Sequence, residues 1–138
     1  MNIQSQVNYY LSLSYNELEQ ECGRNYQKVS NYILNRYTNI NPNHLLIGFI
    51  FTSIAADGKF SEKEWKFLKS FIGGYSYDEA HKIASDFYSN QARIKTKQVI
   101  ECFTKDIKEA ALKIILAVLC VDGRYNEEES SFLSYILN

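Results

Sequence analysis

A chain of 138 residues, 46% hydrophobic and 14% aromatic, fits one domain with an ample core and argues against a multidomain arrangement. Fifteen basic and 16 acidic residues leave a net charge of −1 with no basic run or stripe, so nucleic acid is not an expected partner. Cys22, Cys102 and Cys120 are odd in number and widely spaced; they fit neither a disulfide framework nor a zinc ribbon, and the reading is a reducing, cytoplasmic setting.

Helical spacing of apolar residues runs through most of the chain and strand-like alternation is absent, which predicts an all-α fold. A short amphipathic helix carries Ile3, Val7 and Tyr10-Leu11. Ser14-Tyr15-Asn16-Glu17 then opens a longer helix with a capping box and buries Leu18, Cys22, Val29 and Ile33. Asn39 to Asn43, with Pro42 inside, breaks the pattern before a helix from about Asn43 to Ala56. Gly73-Gly74 stops the next helix, and Ser76-Tyr77-Asp78-Glu79 is a second capping box whose helix turns Tyr77, Ala80, Ile83, Ala84 and Phe87 inward. A shorter helix around Lys97 to Phe103 follows, then one from about Asp106 to Val121 and a last one from about Glu127 to Leu137. The sum is a compact bundle of about 7–8 helices, a single domain over 1–138. The amino-terminal residues Met1 to Gln6 lack the basic and apolar regions of an export signal. The two most apolar runs, Leu45 to Ala56 and Ala110 to Val121, are about 12 residues each against the roughly 20 a bilayer needs, so no membrane span is expected.

The most informative feature is an internal duplication. Ala56-Asp57-Gly58-Lys59-Phe60-Ser61-Glu62-Lys63-Glu64 recurs as Val121-Asp122-Gly123-Arg124-Tyr125-Asn126-Glu127-Glu128-Glu129, offset by 65 residues from Asp57 to Asp122. The match extends back over Ile47, Phe49, Ile50, Phe51 and Ile54 with Leu112, Ile114, Ile115, Leu116 and Leu119, and forward over Phe67-Leu68 with Phe132-Leu133. It divides the chain into N-terminal helices over 1–40, a first repeat pair over 43–72 and a second over 107–138. Such duplicated pairs usually pack about a pseudo-twofold axis.

The repeated turn has two readings. In the structural one, Gly58 and Gly123 take the left-handed conformation that ends a helix, Ser61 and Asn126 are N-caps, and Glu64 and Glu129 close capping boxes. Asp57 and Asp122 then remain to be explained, because a carboxylate at the carboxyl end of a helix faces the negative pole of its dipole. Each can latch the amides of the following turn or present oxygen to a cation. The spacing resembles the second half of an EF-hand loop with the aspartates at position 5 and the glutamates at position 12; positions 1 and 3 fall on Ser53 and Ala55, and on Val118 and Cys120, inside apolar helices, so these are not EF-hands. The candidate metal ligands are Asp57, Glu64, Asp122 and Glu129, with Ser61, Asn126, Glu62 and Glu127 as contributors, for a weakly bound, calcium-like divalent cation.

At these residues the chain resembles the TerB-like superfamily, named for tellurite-resistance proteins and also found as a domain attached to membrane-tethered J-domain cochaperones. The resemblance covers roughly residues 43 to 138 and rests on Ala55-Ala56-Asp57-Gly58 with Glu64, and on Cys120-Val121-Asp122-Gly123 with Glu129. It implies a compact all-α domain with internal pseudo-twofold symmetry, acidic residues at the helix junctions, a divalent-cation role in stress responses, and no known catalytic activity.

Other chemistry is sparse. His44 and His81 form no metal-binding motif with neighbouring His, Cys or carboxylates. Cys120 and Cys102 read as core. The chain has no phosphate loop, nucleophile elbow or dinucleotide fingerprint, so it reads as non-catalytic. Eleven tyrosines are many. Six of them, Tyr9, Tyr10, Tyr15, Tyr26, Tyr32 and Tyr37, fall in the first 40 residues, either covering the core or forming a surface for a protein partner or homo-oligomerisation. The expectation is a stress-response-type domain whose acidic turns bind a cation and bias an interaction surface. The alternative is a helical protein–protein interaction module with structural turns.

Overall fold

A computed structural model describes residues 2–36, 46, 50, 61–70, 74–79, 82, 94, 98 and 101–121. Among these the regular structure is helical, with no strand, and the all-α class follows. The elements are α1 (Ile3–Ser12), α2 (Tyr15–Arg36), α3 (Glu62–Leu68) and α4 (Lys105–Cys120), with a further helical turn over residues 77–79.

α1 starts at Asn2, whose side chain accepts a hydrogen bond from the Ser5 amide at 2.9 Å, satisfying one of the orphan donors of the first turn. It buries Val7 and Tyr10, while Leu11 is 42% exposed. The inward placement expected for Leu11 is thus corrected. Ile3, Val7 and Tyr10 set the centre of the apolar stripe, and at 3.6 residues per turn Leu11 falls about 70° from it. Leu13 ends the helix in an extended conformation.

The predicted capping box opens α2. The Ser14 amide donates to Glu17 Oε1 at 2.9 Å and the Glu17 amide donates to Ser14 Oγ at 3.2 Å. Hydrogen bonding to the carboxyl, from the Ser14 backbone amide first and then from the Ser14 side chain, holds Glu17 below its usual range. Leu18, Cys22, Val29 and Ile33 are buried as the spacing predicts, and Tyr26 joins them. Steps of three and four residues keep all five on one stripe, and that stripe lies against α4.

Beyond its first turns α4 is buried on nearly every side. From Ala110 to Val121 only Lys113 escapes full burial, the pattern of a helix enclosed by others. Against α4 pack α1, α2 and α3, so the central apolar helix of the second repeat organises the described core. Ala111 and Ala117, both fully buried, are the small residues that let neighbours approach.

α3 contributes Trp65, Phe67 and Leu68 to this core. The Phe67 ring meets Tyr15 edge to face, centroids 5.8 Å apart at 84°, and Ser70 Oγ donates to Glu19 at 2.9 Å. Two contacts from different chemistries therefore tie the end of α3 to α2. Ser76 and Glu79 form the second predicted capping box, with both bonds at 3.2 Å. Gly74 before it has φ +90, a left-handed conformation that glycine adopts without penalty; α3 itself ends earlier than the stop expected at Gly73-Gly74, at Leu68 with Lys69 as its C-cap.

Cys102 is exposed, a second correction. It sits in a turn beside Phe103, and Phe103 takes the inward place, packing edge-on against Tyr32 with centroids 5.6 Å apart. The described helices are fewer than the seven to eight expected; Leu46 and Ile50 are helical and buried, but the remainder of the first repeat helix, the turns at Gly58 and Gly123 and the last helix lie outside the described residues. Among the described residues, no helix is long and apolar enough to cross a membrane.

Candidate functional site: the junction before α3

The first acidic turn leads into α3 through Ser61, which is extended at φ −89 and ψ 155 and acts as N-cap. Its hydroxyl accepts from the Glu64 amide at 3.0 Å and donates to Glu64 Oε1 at 3.0 Å, while its own amide donates to that carboxylate oxygen at 3.1 Å. This reciprocal box follows from Ser-x-x-Glu spacing, because residues three apart at a helix start face each other across the first turn. Glu62 and Glu64 both fall in that turn, where the positive pole of the helix favours anions.

Glu64 is 8% exposed and is the buried charged residue among those described. Its burial follows from its neighbours: Trp65, Phe67 and Leu68 all point into the core, and the turn carries Glu64 in with them. A buried carboxylate is tolerated only with hydrogen-bond donors around it, and the two from Ser61 are part of that compensation. Sequence reasoning identified the capping box but missed the burial, for which the flanking apolar residues were the available signal. Glu62 faces solvent. Replacing Ser61 with alanine removes both halves of the hydroxyl's role and should cost about 1 kcal/mol, up to about 2 kcal/mol, of folding free energy; urea unfolding measures it, and Ser61→Thr should recover most of the loss.

The second turn is approached along α4, which runs to Cys120, with the Val121 amide donating to Val118 O at 3.2 Å. Val118 and Cys120 are buried at 1% and 4% exposure, so the two positions that an EF-hand would use as its first ligands are core. The rejection of an EF-hand stands for this copy. Asp57, Asp122, Asn126, Glu127 and Glu129, like His44 and His81, lie outside the described residues. The structure thus places Ser61, Glu62 and Glu64 of the sequence-predicted set together at one helix start. Among the described residues no group of three or more His, Cys, Asp or Glu is placed to hold a metal ion.

Tyrosines contribute a feature the sequence did not reveal. Tyr10 is 1% exposed, and its hydroxyl and that of Tyr32 are buried without a hydrogen-bond partner among the described residues. Burial first, then the charge of Glu21, pushes the Tyr10 phenol well above its usual range, and burial raises Tyr26 to about 12. Tyr9 and Tyr15 are exposed. The N-terminal tyrosines therefore divide between core and surface. No family model, curated protein or solved structure matches the chain.

Proposed function

We propose that this chain is a non-catalytic, TerB-like domain in which two duplicated helix junctions bind a divalent cation of the calcium type and bias an interaction surface for a protein partner. The observation that carries the reading is the repeat itself: each copy places an aspartate after an apolar run and a glutamate seven residues on. Two described positions of the first repeat helix support a full duplication into 7–8 helices about a pseudo-twofold axis. Leu46 and Ile50 are helical and buried, as are Ala111 and Ile115 at the 65-residue offset. Asp57, Glu64, Asp122 and Glu129 are the proposed ligands, with Ser61, Asn126, Glu62 and Glu127 contributing. The buried Glu64 supports the proposal because a carboxylate held away from water gains most from a cation. A cytoplasmic setting accords with an odd number of widely spaced cysteines.

A second reading has its own observation. The Ser61–Glu64 box gives both residues a complete structural reason to be where they are, which favours purely structural turns in a helical interaction module. Exposed Tyr9, Leu11 and Tyr15 would then serve recognition or self-association. Residues 3–36 are not a separable appendage under either reading, because α1 and α2 supply core side chains to α4. Calorimetric titration with calcium separates the two. The cation reading expects binding with a dissociation constant of roughly 10⁻⁴ to 10⁻³ M, abolished by Asp57→Asn with Asp122→Asn in a protein that keeps its helical signal. An absence of binding, or a double variant that no longer folds, favours structural turns.

A further inference from the structure

One short helix joins the first acidic junction to the start of α2. The capping box of Ser61 and Glu64 opens α3 on the side of that junction. Its other end meets α2: the Phe67 ring packs edge to face against Tyr15, and Ser70 Oγ donates to Glu19 at 2.9 Å. A single column of backbone hydrogen bonds runs between the two ends. The Trp65 amide donates to Ser61 O at 3.1 Å, the Lys69 amide to Trp65 O at 2.8 Å, and the Ser70 amide to Phe67 O at 3.3 Å.

This geometry makes α3 poor at absorbing a displacement and good at passing one on. Its seven residues span only about 10 Å, and Trp65, Phe67 and Leu68 are all buried in an interior that is close-packed and of low compressibility. The residues at its far end are less confined. Tyr15 is 39% exposed and Glu19 is half-buried, and four residues apart they share one face of α2.

We infer that α3 is a strut through which cation occupancy of the first junction sets the position of Tyr15 and Glu19 at the start of α2, an inference that rests on the cation reading of that junction. Glu64 Oε1 accepts from both the amide and the hydroxyl of Ser61. A divalent cation that engages this carboxylate competes with those donors for the same oxygen and so moves the first turn of α3. The hydrogen-bonded column carries the movement to Phe67 and Ser70, and from there to Tyr15 and Glu19. Coupling of this kind is reciprocal, so the contacts with α2 in turn bias the affinity of the junction for the ion.

The test follows the backbone amide resonances of the isotope-labelled full chain in wild type, in Ser61→Ala, and in Tyr15→Ala combined with Ser70→Ala. In wild type, calcium should move the amides of residues 61–64 and 15–19 with one common midpoint. The Tyr15→Ala, Ser70→Ala variant keeps Ser61 and Glu64, so residues 61–64 should still respond, with calcium bound about fivefold more weakly, while residues 16–19 stay in place. Without calcium, Ser61→Ala should move residues 15–19 as well as its own neighbours. The inference is overturned if either calcium or Ser61→Ala shifts the first turn of α3 and leaves residues 15–19 unmoved. It is equally overturned if residues 16–19 respond to calcium in the Tyr15→Ala, Ser70→Ala variant, which marks direct binding to the carboxylates of α2. If calcium moves neither region, the cation reading fails and its regulation through α3 with it, and Ser61→Ala shows separately whether α3 joins the two places.

Discussion

Leu116→Asp is expected to abolish cooperative folding at neutral pH. Leu116 is fully buried in the middle of α4, the helix against which the other described helices pack. Removing the leucine alone forfeits about 2–5 kcal/mol, and an unpaired carboxylate there adds several kcal/mol more even after relaxation. Domains of this size have roughly 5–15 kcal/mol in total, so the sum consumes most or all of it. The pH dependence has a definite sign. Burial raises the folded-state pKa of the new aspartate above its unfolded value of about 3.9, so the penalty grows as pH rises above that value and is relieved in acid. Far-UV circular dichroism should therefore show little cooperative transition at pH 7 and partial recovery near pH 4, whereas Leu116→Asn should show no such recovery.

Phe67→Ala is the second large effect, expected at about 3–5 kcal/mol. Phe67 is fully buried and its ring also receives Tyr15 edge-on from the start of α2. The substitution leaves a cavity between α3 and its neighbours and removes an aromatic pair whose own share is about 0.5–1.5 kcal/mol. Urea unfolding should show a lower midpoint with an unchanged slope. Combining it with Tyr15→Ala should give less than the sum of the two single losses, because both changes remove the same contact.

Helix starts and buried faces were legible in the sequence because both are local. The boxes at Ser14, Ser61 and Ser76 need residues only three apart, and all three form. The stripe of Leu18, Cys22, Val29 and Ile33 needs only helical periodicity. Leu11 and Cys102 were misplaced for the complementary reason. Each neighbours a residue that takes the inward position, and the choice between neighbours depends on where other helices lie. The burial of Glu64 and the stranded Tyr10 and Tyr32 hydroxyls have the same origin, since tertiary packing decides which polar atoms lose water. The candidate site was legible as a spacing, Asp to Glu over seven residues, whereas the relative placement of two such turns depends on packing that periodicity does not encode.

Thermal unfolding of chelator-treated protein, with and without 10 mM calcium, magnesium, manganese or zinc, tests the cation claim most directly when wild type is run beside Asp57→Asn with Asp122→Asn. A site of about 1 mM affinity adds roughly 1.4 kcal/mol at about 10 mM ion, a rise of a few degrees for a domain of this size. The account predicts that rise for one ion class in the wild type and its loss in a double variant that still unfolds cooperatively. No rise with any of the four ions, or an equal rise in the variant, would contradict it and leave the two junctions as helix caps.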